Sequence, residues 1–182
     1  LVNPPIDAQF KGRKPRIGVS GYVHKGGRKG EGLVKRLVDS YSHVFEIVAS
    51  GVGWPVKDIR ERKWEEMPAF YDSLDVYLVS SLTEGIPMPP LEALAMGKRV
   101  VVPYGVGLLD SLSNPLVYRY EAGNFDAMLA ALERATGALV KHQDRFSEDA
   151  WCESHRVAFG LNHGAEISIK TDDHFTDSIK MV

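Results

Sequence analysis

The sequence predicts an α/β fold: a Rossmann-like parallel sheet with helices on both faces. Three observations lead there. Four short runs, RIGVSG (16–21), FEIVASG (45–51), DVYLVS (75–80) and RVVVP (99–103), read as near-continuous apolar strands rather than as alternating ones. Segments with apolar residues at helical spacing separate them. Gly21, Gly51 and Pro103 close three of the runs, as turn residues should.

Each element has its own local reason. Residues 1–15 hold Pro4, Pro5, Gly12 and Pro15 among polar residues and read as an extended linker. After the first strand comes a glycine-rich basic loop, GYVHKGGRKGEG (21–32). A helix follows, in which Leu33, Val34, Leu37, Val38 and Tyr41 share one face. Beyond the second strand, Pro68 suits the first turn of a short helix. After the third, Pro89 and Pro90 suit the start of another, which Gly97 ends. NFDAMLAALERAT (124–136) is a helix capped by Asn124, with Phe125, Met128, Leu129 and Leu132 facing inward. SEDAWCESHRVAFGL (147–161) is a further helix, with Ser147 as its cap. The division expected is a linker (1–15), one α/β domain (16–163) and a tail (164–182). In the tail, Phe175, Ile179 and Val182 form a narrow apolar stripe that needs a partner.

Composition narrows the function. The chain has 182 residues, 44% hydrophobic and 25% charged, which is enough for a full core without staples. Its net charge of -2 argues against a nucleic-acid footprint. One cysteine, Cys152, excludes an internal disulfide, suits a reducing, cytoplasmic setting, and reads as a small core residue. The longest apolar run, around 100–109, is broken by Pro103, Gly105 and Gly107 and falls short of the roughly 18 residues of a membrane span. The N-terminus lacks the apolar stretch of a signal peptide and begins with Leu1, so a piece of a longer protein is expected.

Two loops carry groups suited to chemistry, and both leave carboxyl ends of strands, where parallel sheets bind ligands. In the first, Lys25, Arg28 and Lys29 lie among Gly21, Gly26, Gly27, Gly30 and Gly32. Glycines admit close backbone approach, and a helix start attracts anions, so a phosphate or diphosphate is the natural guest. A solvated basic turn is an equal reading. GGRKGEG lacks the Ser or Thr of a P-loop, and GVGW (51–54) supplies no dinucleotide fingerprint. The second loop is TEGIPMPPLEALAMG (83–97), where seven residues separate Glu84 from Glu92. Glu84 falls before the helix and Glu92 in its first turn. Carboxylates accept from paired hydroxyls, so two of them flanking free N–H groups suit a ligand with hydroxyls at both ends and phosphates between. The plainer alternative is an exposed Glu84 and a Glu92 that merely favours the helix dipole.

EGIPMPPLEALAMGKRVVVP resembles the E-x7-E signature of retaining glycosyltransferases of the GT-B fold, specifically the large family-4, or group 1, set. VNPPIDAQF resembles the linker that ends the N-terminal domain of such enzymes. IGVSGYVHKGGRKGEGLVKRLV resembles their diphosphate-holding strand–loop–helix, and MPAFYDSLDVYLVSSLTEG the approach to the signature. The likeness runs from about residue 2 to 135 and covers only the C-terminal, donor-binding half of the fold.

The resemblance implies a function and a set of roles. Glu84 and Lys29 would be catalytic. Glu84 would bind hydroxyls of the donor sugar, while backbone N–H groups of Gly85, Ile86 and Met88 cradle sugar and phosphates. Glu92 would bind the ribose. Lys29, with Arg28, would neutralise the diphosphate, and Gly21, Tyr22, Lys25 and Pro89 complete the donor-binding set. The donor would be a nucleotide-diphosphate sugar, with no metal or other cofactor. The partner would be an N-terminal acceptor domain, through which any peripheral membrane contact would come. The isolated half would bind donor but transfer little.

Two residues depart from the pattern. Tyr22 stands where an arginine is usual, and Pro87 where glycine is frequent, which removes an N–H. These departures keep a non-catalytic nucleotide-sugar-binding module open, and fold analogy leaves a nucleotide-sugar 2-epimerase as a lesser alternative. Elsewhere, Asp172, Asp173 and His174 read as a solvated helix start rather than a metal site, His24 as an exposed loop residue, and Trp54 as either a packing residue or a base-stacking one.

Overall fold

Six parallel strands run in the order β3-β2-β1-β4-β5-β6. The computed structural model describes residues 10, 12–24, 26–85 and 87–137. These belong to one compact unit, Leu1–Val140. Most of the linker, the helix expected over 147–161, Cys152 and the tail with Asp172–His174 lie outside the described residues.

The strands are β1 (Arg16–Tyr22), β2 (Glu46–Val52), β3 (Asp58–Arg60), β4 (Val76–Leu78), β5 (Arg99–Pro103) and β6 (Val117–Tyr120). The helices are α1 (Glu31–Tyr41), α2 (Met67–Asp72), α3 (Met88–Ala95), α4 (Leu108–Ser111) and α5 (Phe125–Thr136), with a single 3-10 turn at Trp64–Glu66. The four strands expected from sequence are present. Two more, β3 and β6, form the sheet's edges. Every residue of β3 is exposed and β6 is mostly half-buried, so neither shows the apolar run that marks a central strand.

Strand residues alternate between two cores. Ile17, Val19 and Val101 pack on one side with Val34, Leu37 and the inner face of α5. Val100, Val102, Val48 and Tyr77 pack on the other with Phe70, Tyr71 and Ala93. Helices therefore cover both faces, as the runs of apolar residues required. Helix α5 shows how packing and capping combine. The Asn124 side chain accepts from the N–H groups of Asp126 and Ala127, both at 3.1 Å. Phe125, Met128, Leu129 and Leu132 are buried beneath it. Each such side chain contributes about 1.5–3 kcal/mol, more than helix propensity offers.

The strand order creates the site. From β1 the chain moves outward to β2 and β3, whereas β4 begins the opposite half of the sheet. Loops leaving β1 and β4 diverge, and a crevice opens where the order reverses. These loops are then pulled together. Leu82 N–H donates to Arg28 O at 2.9 Å, and Ser80 Oγ donates to Lys29 O at 2.7 Å. Gly30 makes this approach feasible. It sits at φ +67°, and a Cβ there would lie 1.9 Å from the Ser80 carbonyl oxygen. Both the left-handed conformation and the contact demand glycine.

No helix among the described residues is long and apolar enough to cross a membrane.

Gly30→Ala is expected to destabilise the chain by at least about 2 kcal/mol in chemical denaturation, because backbone must move. Gly97→Ala is the control. Its φ is +71° but nothing lies within 4 Å of the added carbon. It should cost only about 1 kcal/mol.

Candidate functional site

A cleft of about 190 Å³ opens at the carboxyl ends of β1 and β4. Its floor is Ser20 and Tyr77, its walls include Lys29, Trp54 and the Ser80–Ser81 pair, and its far side is Glu84 with Pro87 to Pro90. The two loops singled out in the sequence therefore meet in one place.

Lys29 Nζ and Glu84 Oε1 are 2.5 Å apart, and their side chains are only 20% and 18% exposed. Residues 55 apart in sequence make this pair. Burial works to raise the Glu84 pKa. Hydrogen bonds from Lys29 and Ser81, with the charges of Lys29 and Arg28, outweigh it and hold the carboxyl below its ordinary value. Glu84 is thus an ionised acceptor at neutral pH.

The cleft floor carries a bonded pair of hydroxyls. Ser20 Oγ and Tyr77 Oη lie 2.5 Å apart. Burial drives the Tyr77 pKa upward, and the negative charges of Glu84 and Glu92 add to it against the Ser20 bond. Tyr77 stays neutral between the two acids.

Helix α3 begins at Met88, so Glu92 occupies its second turn and not the first turn expected. Helix-starting N–H groups sit at the cap residue and the next three. Here those positions are Pro87, Met88, Pro89 and Pro90, so Met88 alone carries a free N–H. The loss of a donor expected at Pro87 extends to the whole helix start. Its anion-binding capacity is correspondingly small, and positive charge falls to Lys29 and Arg28.

The remaining site residues divide. Gly21 borders the cleft: its carbonyl accepts from Trp54 Nε1 at 2.9 Å, and Lys29 Nζ lies 3.8 Å from where its Cβ would be. Trp54 is buried and held by that bond, which is the packing role. Arg28 is exposed, yet its charge reaches Glu84. Gly85 is exposed beside the cleft. Met88 and Pro89 line it. Glu92 does not line it directly, and its Oε2 accepts from Tyr71 Oη at 2.6 Å. Tyr22 is not brought into the cleft; its hydroxyl donates to Glu61 in a neighbouring depression with Ser20, Gly51, Arg62 and Met67. Lys25 and Ile86 lie outside the described residues.

Ser20, Ser80, Ser81 and Tyr77 line the cleft without a motif that marks them in the sequence. Serines ending an apolar strand, as in YLVSS, are the available signal: Ser80 and Ser81 are buried polar residues at a carboxyl edge. Among the described residues, no three His, Cys, Asp or Glu side chains gather to hold a metal.

The family model described as glycosyl transferases group 1 matches residues 44–137, just over half of the chain. No curated protein sequence matches. Solved structures do. The lipopolysaccharide outer core galactosyltransferase WaaB in its apo form is similar at a TM-score of 0.57 and 16% identity, over 82% of this chain and 50% of that one. The catalytic domain of starch synthase IV from Arabidopsis thaliana, bound to ADP and acarbose, is similar at 0.54 and 15%, over 81% of this chain and 38% of that one. The C-terminal domain of a glycosyl transferase group 1 family protein (LpcC) from Francisella tularensis is similar at 0.50 and 17%, over 75% of this chain and 84% of that domain. At these identities the likeness is one of fold. The chain spans half or less of the first two structures, and most of the isolated C-terminal domain.

The Glu84 shift has a pH signature. Its lowered pKa contributes stability that is present in full above the ordinary value of 4.5 and lost as pH falls through the lower native value. The stability difference between wild type and Glu84→Gln, measured by urea denaturation across pH, should be constant above that value and close below it.

Proposed function

The chain belongs to the group 1 glycosyl transferases, and on that premise we propose that it is the donor-binding half of a retaining glycosyltransferase. In this reading the enzyme moves a sugar from a nucleotide-diphosphate sugar to an acceptor. The observation that carries it is the meeting of Lys29 and Glu84 at 2.5 Å in the switch-point cleft. A cation for phosphate and an ionised acceptor for sugar hydroxyls stand side by side.

The cleft alone is smaller than the roughly 300 Å³ of a typical ligand pocket. It shares Ser20 with the depression holding Gly21, Tyr22 and Arg62, which adds about 190 Å³. A nucleotide sugar would extend along both. Entry of a diphosphate draws Lys29 from Glu84, freeing the carboxylate to accept from the sugar. As the bond from the anomeric carbon to the phosphate oxygen breaks, its electron pair departs with the diphosphate. Lys29 and Arg28 stabilise that charge. The new bond forms to the acceptor's hydroxyl oxygen, and the proton it sheds is taken up by the departing phosphate. Two side-chain cations perform this role in the reading, without a divalent metal.

The other half of the reaction belongs to an acceptor domain. Tyr22, Trp64, Leu82, Met88 and Tyr104 are 52%, 73%, 46%, 54% and 62% exposed. Tyr22 ends β1, Leu82 lies between β4 and α3, Met88 starts α3, Tyr104 follows β5, and Trp64 opens the 3-10 turn. Exposed apolar side chains on the loops that form the cleft, Met88 among its lining, support a covering partner. A second reading, a non-catalytic nucleotide-sugar-binding module, is favoured by the proline-depleted start of α3. Product analysis of the full-length protein separates the two: a new glycoside supports transfer, and binding without product supports the module.

Calorimetry of the chain against UDP, GDP and ADP, each with and without an attached sugar, tests the site. Glu92→Ala should weaken whichever nucleoside diphosphate binds by about tenfold, as expected for a lost hydrogen bond to a charged group. Glu84→Ala should matter chiefly for the sugar-bearing form. Unchanged affinities in both variants would refute the assignment.

A further inference from the structure

Glu92 is a half-buried carboxylate whose charge no cation balances among the described residues. Its side chain has one hydrogen-bond partner there, the Tyr71 hydroxyl at 2.6 Å. Tyr71 has no freedom of its own. It is 2% exposed, its ring meets Tyr77 edge-on with centroids 5.9 Å apart, and Phe70 packs at 5.8 Å. Burial, then the bond to Glu92, push its pKa upward, so the phenol stays a neutral donor. A fixed donor therefore holds Oε2 of a side chain that otherwise rotates about three bonds. Oε1 is left to accept from something else.

Its direction follows from the helix. Glu92 lies four residues beyond Met88, and such pairs share a face of α3. Met88 lines the cleft. Tyr77, on the cleft floor, lies within electrostatic reach of Glu92 as well as Glu84. Glu92 thus borders the cleft one helical turn beyond its rim.

We propose that Tyr71 is a positioning residue, which holds Glu92 so that Oε1 accepts from the vicinal hydroxyls of a ribose. This rests on the donor-binding reading of Glu92 above. Preorganising one flexible side chain is worth about three- to tenfold in affinity.

The test compares binding of UDP, GDP and ADP with that of their 2′,3′-dideoxy counterparts by calorimetry. Tyr71→Phe keeps the ring and removes only the donor. It should weaken the ribonucleotide that binds wild type by about three- to tenfold and leave its dideoxy counterpart within about twofold, which also shows that the variant is folded. Glu92→Gln should weaken the same ribonucleotide, and adding Tyr71→Phe to it should cause no further loss. Equal weakening of both ligands in Tyr71→Phe, or a further loss in the double variant, shows a merely structural tyrosine and overturns the proposal. Loss in Glu92→Gln without loss in Tyr71→Phe overturns it too, while leaving the role of Glu92 intact. If Glu92→Gln does not change the ratio of the two ligands, or no ribonucleotide binds, the donor reading falls and the proposal with it.

Discussion

The backbone contact between Gly30 and the Ser80 carbonyl governs the rest of the site. A parallel sheet whose order reverses between β1 and β4 opens a crevice at their carboxyl ends, but an open crevice fixes no chemistry. The β1–α1 loop must lie down on the β4–α3 loop before Lys29 can reach Glu84. Leu82 and Ser80 bond to the Arg28 and Lys29 carbonyls and hold it there. With no side chain at Gly30, the two backbones can touch. The charged pair is then a consequence of backbone fit, not a free encounter of two long side chains.

Charge in the cleft is distributed unusually for a helix-start site. Prolines at positions 87, 89 and 90 give α3 a rigid beginning and strip it of donors. A helix start normally offers several N–H groups to an anion, whereas this one offers Met88. In the proposed function, Lys29 and Arg28 would meet phosphate charge as side chains, which would make binding more dependent on ionic strength than a backbone cradle would. The two acids are also held differently. Glu84 is paired to the lysine ammonium of Lys29. Glu92 is bonded to the buried phenol of Tyr71. One acid is paired to a charged side chain and the other to a neutral one.

Much of the fold was legible because central parallel strands, buried on both faces, leave apolar runs in the chain. The edges were not: β3 is exposed and β6 mixed, so their existence depends on neighbours that pattern alone does not reveal. Glu84, Lys29 and Arg28 stand out by loop composition and by the spacing of the two acids, and Met88 and Pro89 as site residues only by the resemblance to the E-x7-E signature. The sequence places Glu92 one turn early, because two consecutive prolines mark the first turn of a helix without saying which residue opens it. Tyr22 was included by its position after β1, yet its pairing with Glu61 turns it to the adjoining depression. The contributions of Tyr71, Tyr77 and Ser20 depend on pairings across 21 and 57 residues, for which spacing gives no cue.

Backbone amide chemical-shift mapping by NMR tests the central claim most directly. On titrating the chain with UDP, GDP or ADP, the largest shifts should fall on residues 20–30 and 80–88, in the two loops joined by the Leu82–Arg28 and Ser80–Lys29 bonds. Shifts centred instead on the depression around Lys14, Glu46 and Asp58, where β2 and β3 begin at the opposite edge of the sheet, or no shifts with any of the three, would contradict it.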